Sequence, residues 1–154
     1  IDPDRAELGA LAHDVCRAVP GEDLLKMSAD LDVPVTDVDR DFPLLLHGPV
    51  GAELLRKEDD LTDKSLFEAV RWHSTAHPSL DDLGKLVFLA DKLDPQKAAV
   101  YSYQARLHTM ALESLDLALL EFLTREMAGR IEKGETVHPA SVDARNSLVL
   151  KLKD

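Results

Sequence analysis

Apolar side chains recur at helical spacing through most of the chain. Leu8, Leu11, Ala12 and Val15 fall at i, i+3, i+4 and i+7, behind a start signal of Asp2-Pro3-Asp4. Pro20-Gly21 ends that segment, and Leu24, Met27, Ser28 and Leu31 predict a short second helix. Val33 to Pro43 is a polar connection holding two prolines. Pro49 opens a helix through about Glu58 with Val50, Leu54 and Leu55 on one side, and Leu66, Phe67, Ala69, Val70 and Trp72 mark the next. Ser79 with Asp82 three residues on is a capping signal; Leu83, Leu86, Val87 and Ala90 follow it, and Asp94-Pro95 closes the segment. From about Ala99 to Lys133 the chain is one long or broken helical region that Gly134 ends, and Pro139 starts a last helix with Val142, Leu148 and Leu152. No strand pair or repeat stands out, so the pattern predicts an all-α bundle.

A length of 154 residues predicts one domain, residues 1–154, with enough chain for its own core. No apolar run approaches the ~20 residues that span a bilayer, and no secretory leader is visible. The single cysteine, Cys16, allows no internal disulfide, which points to a reducing cytoplasm. A formal charge of −11 opposes binding to nucleic acid or to anionic membranes. A phosphate substrate would need a local positive focus, which bound metal ions supply.

The polar residues inside the apolar segments carry the chemistry. His13-Asp14 is an adjacent pair at a helix end, with side chains expected to diverge by about 100°. His47 follows Leu44-Leu45-Leu46, and His73 follows Arg71-Trp72 on a helix whose Ala69 and Val70 face inward. Asp91 ends the run Leu86-Val87-Phe88-Leu89-Ala90, where a charge is costly without a partner such as a metal, Lys92 or Lys85. Taken singly, each reads as readily as a hydrogen-bonded core group or a solvated acid. Together, imidazoles with hard carboxylates suit divalent iron, manganese, nickel, cobalt or zinc, and two-metal hydrolysis. His77, His108 and His138 read as surface or capping residues, and Cys16 as a small buried hydrophobe. Phosphate-loop, dinucleotide and serine-nucleophile motifs are absent.

The order His-Asp, His, His, Asp resembles the HD-domain metal-dependent phosphohydrolases, and more narrowly their bacterial YqeK-like branch of symmetrical bis(5′-nucleosyl)-tetraphosphatases. The resemblance rests on residues 10–14, 45–52, 69–75 and 86–95 and on Val137-His138-Pro139 with Asn146. It implies an HD helical bundle with two divalent ions, iron first among the candidates. His13, Asp14 and Asp91 would serve one ion, His47 and His73 the other, with Asp14 bridging. It further implies a catalytic role for Asp14 and Arg17, and substrate contacts from Arg17, Thr75 and Lys97. Lys97 stands where the branch carries arginine, keeping charge but losing the bidentate fork. Ala76 stands where glycine is common. The implied reaction is hydrolysis of diadenosine tetraphosphate to two ADP by a metal-bridging hydroxide. The alternatives are another HD hydrolase of nucleoside mono- or diphosphates, or a silent helical interaction module. The branch places its first metal histidine on a helix ahead of the position of Ile1. The chain is therefore expected to be short of that helix, to expose Leu8, Leu11 and Val15 beside His13, and to pair with another copy as a homodimer, rearrange or be less stable than a longer form.

Overall fold

The computed structural model describes residues 1–153, and among them it holds helices and turns but no strand. The helices are α1 (Pro3–Ala12), α2 (Gly21–Asp30), α3 (Asp37–Asp41), α4 (His47–Glu58), α5 (Lys64–Trp72), α6 (Asp82–Lys92), α7 (Gln104–Glu113), α8 (Leu115–Glu132) and α9 (Pro139–Lys151). Tight 3-10 turns cover Pro43–Leu46 and Pro95–Lys97. No helix among the described residues is long and apolar enough to cross a membrane.

Local chemistry sets most boundaries. The Asp2 carboxylate caps α1 by accepting the Asp4 N–H at 3.0 Å, with Pro3 at the first helical position. The predicted region 99–133 is two helices because Ser114 is extended (φ −159°) and caps α8 through its hydroxyl. At α6 the cap is Asp81, not Ser79: its carboxylate accepts the Gly84 N–H at 3.0 Å, while the Ser79 hydroxyl donates to Glu68 at 2.6 Å. Within the polar connection Thr36 and Asp39 form a reciprocal capping box that supports α3, an element the periodicity did not mark. The turn after α5 places Ala76 at φ +61°, in the left-handed region that favours glycine.

α6 lies at the centre, against α1, α5 and α8. The largest core group joins α6, α7, α8 and α9 through Phe88, Leu89, Leu107, Leu119, Phe122 and Leu148. Phe88 and Phe122 meet edge to face at 5.4 Å. A second group, Cys16, Leu24, Val33, Leu46 and Val50, ties α2 to α4. α1 packs inward through Gly9, where an added Cβ would stand 2.8 Å from Val87 Cγ2, and Leu8 and Leu11, with Val15 in the turn beyond, are exposed beside His13 as expected. Only Leu8 of these three joins an apolar recess, about 160 Å³, with Ala12, Leu55, Leu61, Leu66 and Val70.

Candidate metal centre

Four helix ends deliver the polar residues to one place. His13 follows the last residue of α1, Asp14 stands in the turn beyond, His47 begins α4, His73 caps α5 and Asp91 lies in the last turn of α6. The same local device orients all three imidazoles. Nδ1–H of His13 donates to the Ala10 carbonyl at 2.6 Å, that of His47 to Leu44 at 2.5 Å and that of His73 to Val70 at 2.7 Å. A carbonyl can only accept, so in each neutral ring the proton is fixed on Nδ1 and the lone pair on Nε2.

Those Nε2 atoms converge on Asp14. Its Oδ1 lies 3.1 Å from His47 Nε2 and 3.3 Å from His73 Nε2, while its Oδ2 lies 3.5 Å from His13 Nε2. His47 Nε2 and His73 Nε2 are 2.8 Å apart. Two nitrogen lone pairs and a carboxylate oxygen so placed repel unless a proton or a metal ion lies among them, and the donor set is one a divalent ion takes. One ligand atom each from His13, Asp14 and His73 falls within 4.8 Å of the others, and Asp91 Oδ1 stands 3.6 Å from His13 Nε2. His13 keeps helical dihedrals (φ −58°, ψ −35°), yet its Nε2 and the Asp14 Oδ2 still come within 3.5 Å at the side-chain tips.

Gly48 sets the α4–α5 approach. A Cβ there would meet the Arg71 carbonyl oxygen at 2.8 Å and that of Val70 at 3.0 Å, so only glycine lets His47 come this close to His73. Asp91 is compensated as its burial demands, but not by Lys85, which pairs with Asp116 at 2.6 Å and Asp82 at 3.3 Å. Its partners are His13, Lys92 at 2.7 Å, and Lys97. Lys97 pairs with Asp91, an aspartate only 12% exposed that needs the positive charge, while its own side chain, 37% exposed, also borders the open space over the cluster. Lys92, itself buried, also donates to the His73 carbonyl at 3.3 Å and so joins α6 to the end of α5.

The electrostatics follow. The His73 imidazole, with His13 and His47, draws the Asp14 carboxyl down to about 2, against its partial burial. Burial acts to raise Asp91, but His13, Lys92 and Lys97 outweigh it and hold it far below the carboxylate range. His13 is raised, chiefly by Asp91. His47 is lowered, chiefly by burial.

The cluster opens into a chamber of about 270 Å³ that Arg17, Phe42, Lys97 and Tyr101 also line. Thr75 lies outside it. It faces a neighbouring cavity, and its hydroxyl donates to the Ala76 carbonyl at 3.2 Å. Ser74, unmarked in the sequence reading, stands 3.2 Å from His73 Nε2 and 3.4 Å from His47 Nε2; its position next to His73 at a helix end was the available signal. His138 caps α9 as expected, accepting the Ala140 N–H at 3.1 Å, and additionally faces the buried Asp39 carboxylate at 3.4 Å. His108 is exposed and His77 stacks on Trp72 at 4.3 Å, both away from the cluster.

An all-helical bundle with histidines and aspartates gathered at helix ends defines a class, and sequence comparison agrees with it. The HD domain family model matches residues 1–96, and the chain belongs to that family. The chain is 29% identical over 148 residues to a symmetrical bis(5′-nucleosyl)-tetraphosphatase of Bacillus subtilis, spanning 96% of this chain and 78% of that protein. A protein of the same description from Halalkalibacterium halodurans is 28% identical over 154 residues, spanning 99% of this chain and 80% of the relative. A crystal structure from Clostridium acetobutylicum, described as a predicted HD superfamily hydrolase involved in NAD metabolism, superposes with a TM-score of 0.90 at 28% identity, over 97% of this chain and 78% of that one. Divalent-metal binding is the chemistry HD membership implies, and the donor set fits it.

Proposed function

We propose that this chain is a metal-dependent phosphohydrolase that cleaves diadenosine tetraphosphate symmetrically to two ADP. The observation that carries the reading is the two-sided use of Asp14, one oxygen toward His47 and His73, the other toward His13. That arrangement supports two divalent ions sharing one carboxylate, with Asp91 completing the His13 side. Iron suits a set of three imidazoles and two carboxylates, as do manganese, nickel, cobalt and zinc. Such ions acidify water and neutralise charge on a transferring phosphoryl group. The protein's own residues do the rest. Nδ1 anchoring keeps each imidazole oriented, Lys92 fixes Asp91 against α5, and Arg17 with Lys97 lines the chamber through which a polyphosphate enters. The relatives' shared description as symmetrical tetraphosphatases supports the choice of substrate. The exposed Leu8, Leu11 and Val15 support pairing of two copies.

The test is Asp14→Ala. An exposed turn acid contributes little to packing, so the variant keeps its helical spectrum while its metal content and turnover of diadenosine tetraphosphate fall together. Wild-type turnover in the purified variant would overturn the mechanism.

A further inference from the structure

The hydroxyl of Ser74, in the turn after α5, stands 3.2 Å from His73 Nε2 and 3.4 Å from His47 Nε2. A serine near a helix end often turns its hydroxyl back on the carbonyl four residues earlier, as Ser28 does toward Leu24 at 2.8 Å. For Ser74 that carbonyl belongs to Val70, which the His73 Nδ1–H already engages at 2.7 Å. Among the described residues, the two ring nitrogens are the groups within hydrogen-bond reach of the Ser74 oxygen. The backbone holds it there from both sides. Lys92 donates to the His73 carbonyl at 3.3 Å, and the Ser141 hydroxyl donates to the Thr75 carbonyl at 2.6 Å.

Spacing and proton count agree on what this oxygen does. Two atoms each about 2.1 Å from a shared ion stand about 3.0–3.4 Å apart, from octahedral to tetrahedral angles. His47 Nε2, His73 Nε2 and Asp14 Oδ1 lie 2.8, 3.1 and 3.3 Å from one another, and Ser74 Oγ continues the set at the same spacing. Both rings keep their proton on Nδ1, so both Nε2 atoms present lone pairs. One hydroxyl proton cannot satisfy two nitrogens. Toward a cation held by those nitrogens the hydroxyl presents its oxygen lone pairs instead, as serine and threonine hydroxyls do to a divalent ion in phosphate-binding loops.

We propose that Ser74 Oγ is a further ligand of the ion held by His47, His73 and Asp14, an inference that rests on the metal-hydrolase reading and adds a residue to it. The two halves of the centre are then unlike. The His13 side offers one imidazole with the carboxylates of Asp14 and Asp91. The Ser74 side offers two imidazoles, the shared carboxylate and a neutral oxygen. Less negative charge is donated there, so that half keeps more positive charge for acidifying water.

A thiol in place of the hydroxyl reads the contact directly, apart from turnover. Full-length Ser74→Cys loaded with cobaltous ion should show the strong near-ultraviolet absorption of sulfur-to-cobalt charge transfer. Wild type is the control, because its own Cys16 is buried in the core between α2 and α4. Manganese titration gives a second readout. Wild type should take two ions, and Ser74→Ala should bind one of them at least about tenfold more weakly. Ser74→Thr, which keeps the oxygen, should match wild type. If Ser74→Cys does not fold, the manganese comparison decides. A folded, cobalt-loaded Ser74→Cys without the absorption, or Ser74→Ala that titrates like wild type, would overturn the proposal. Failure of the hydrolase reading has a different signature: the absorption and the titrations stand, but diadenosine tetraphosphate is not turned over.

Discussion

Adding one methyl group at either of two glycines should move stability in opposite directions. At Gly48 the new Cβ would lie 2.8 Å from the Arg71 carbonyl oxygen, where ordinary contact begins at 3.4 Å, so α4 must retreat by about 0.6 Å. Overpacking of this kind costs about 1–3 kcal/mol. Losing a helical glycine offsets at most about 1 kcal/mol of that. A net loss of roughly 1–2 kcal/mol lowers Tm by roughly 2–8 °C in a chain of this size. The retreat also exceeds the ~0.5 Å within which a functional site holds its groups, and it opens the 2.8 Å approach of His47 to His73. Metal affinity should therefore fall about 10–100-fold, as when a ligand's orientation is disturbed. At Gly129, inside α8, an added Cβ meets nothing within 4 Å. There Gly129→Ala should gain about 1 kcal/mol, or roughly 2–4 °C, with metal affinity unchanged. Thermal unfolding and metal titration of both variants make the assay. A Gly48→Ala protein matching wild type in both measurements would refute the packing argument, as would a Gly129→Ala protein that loses stability.

Three further expectations follow from local geometry. Burial pushes Asp39 up, but His138 and Thr36 outweigh it and hold the carboxyl below its ordinary 3.8. The resulting stability is present above 3.8 and lost as pH falls through the depressed value; acid unfolding followed by circular dichroism should be shallower in that window for Asp39→Asn, and an unchanged profile would contradict the pairing. Ala76→Gly relieves about 1–2 kcal/mol of left-handed strain and gives up about 0.8 kcal/mol of buried methyl, so its Tm should stay level or rise by up to about 4 °C; a clear fall would contradict the account of that turn. Cys16 is 3% exposed and its thiol is pushed up by burial, so a thiol reagent should label it only as the protein unfolds, and rapid labelling of the native form would show that the α2–α4 core is misassigned.

Helices were legible where a face is buried against several neighbours. Leu83 and Val87 of α6, and Leu66, Ala69 and Val70 of α5, lie in the core at their predicted positions, while Ala90 is exposed. At α1 the leucine stripe is exposed as expected, but periodicity did not mark the buried side, the small Gly9, whose close approach to Val87 favours the residue without a side chain. Periodicity was silent at α3, a five-residue helix that a capping box supports. The five clustered residues His13, Asp14, His47, His73 and Asp91 were visible from sequence because each interrupts or ends an apolar segment, where a polar side chain requires a partner. What could not be read was the arrangement between elements. The approach of Asp14 to His47 and His73, the attachment of Lys97 to Asp91, and the separate cavity that Thr75 lines all depend on how different elements meet.

The most direct test of the central claim is product analysis on diadenosine tetraphosphate with the purified protein, first loaded with ferrous or manganous ion and then stripped with chelator. The loaded protein should release ADP as the sole nucleotide product, two per substrate consumed, and the stripped protein should be inactive until metal is restored. Release of ATP with AMP, or turnover undiminished after complete metal removal, would contradict the account.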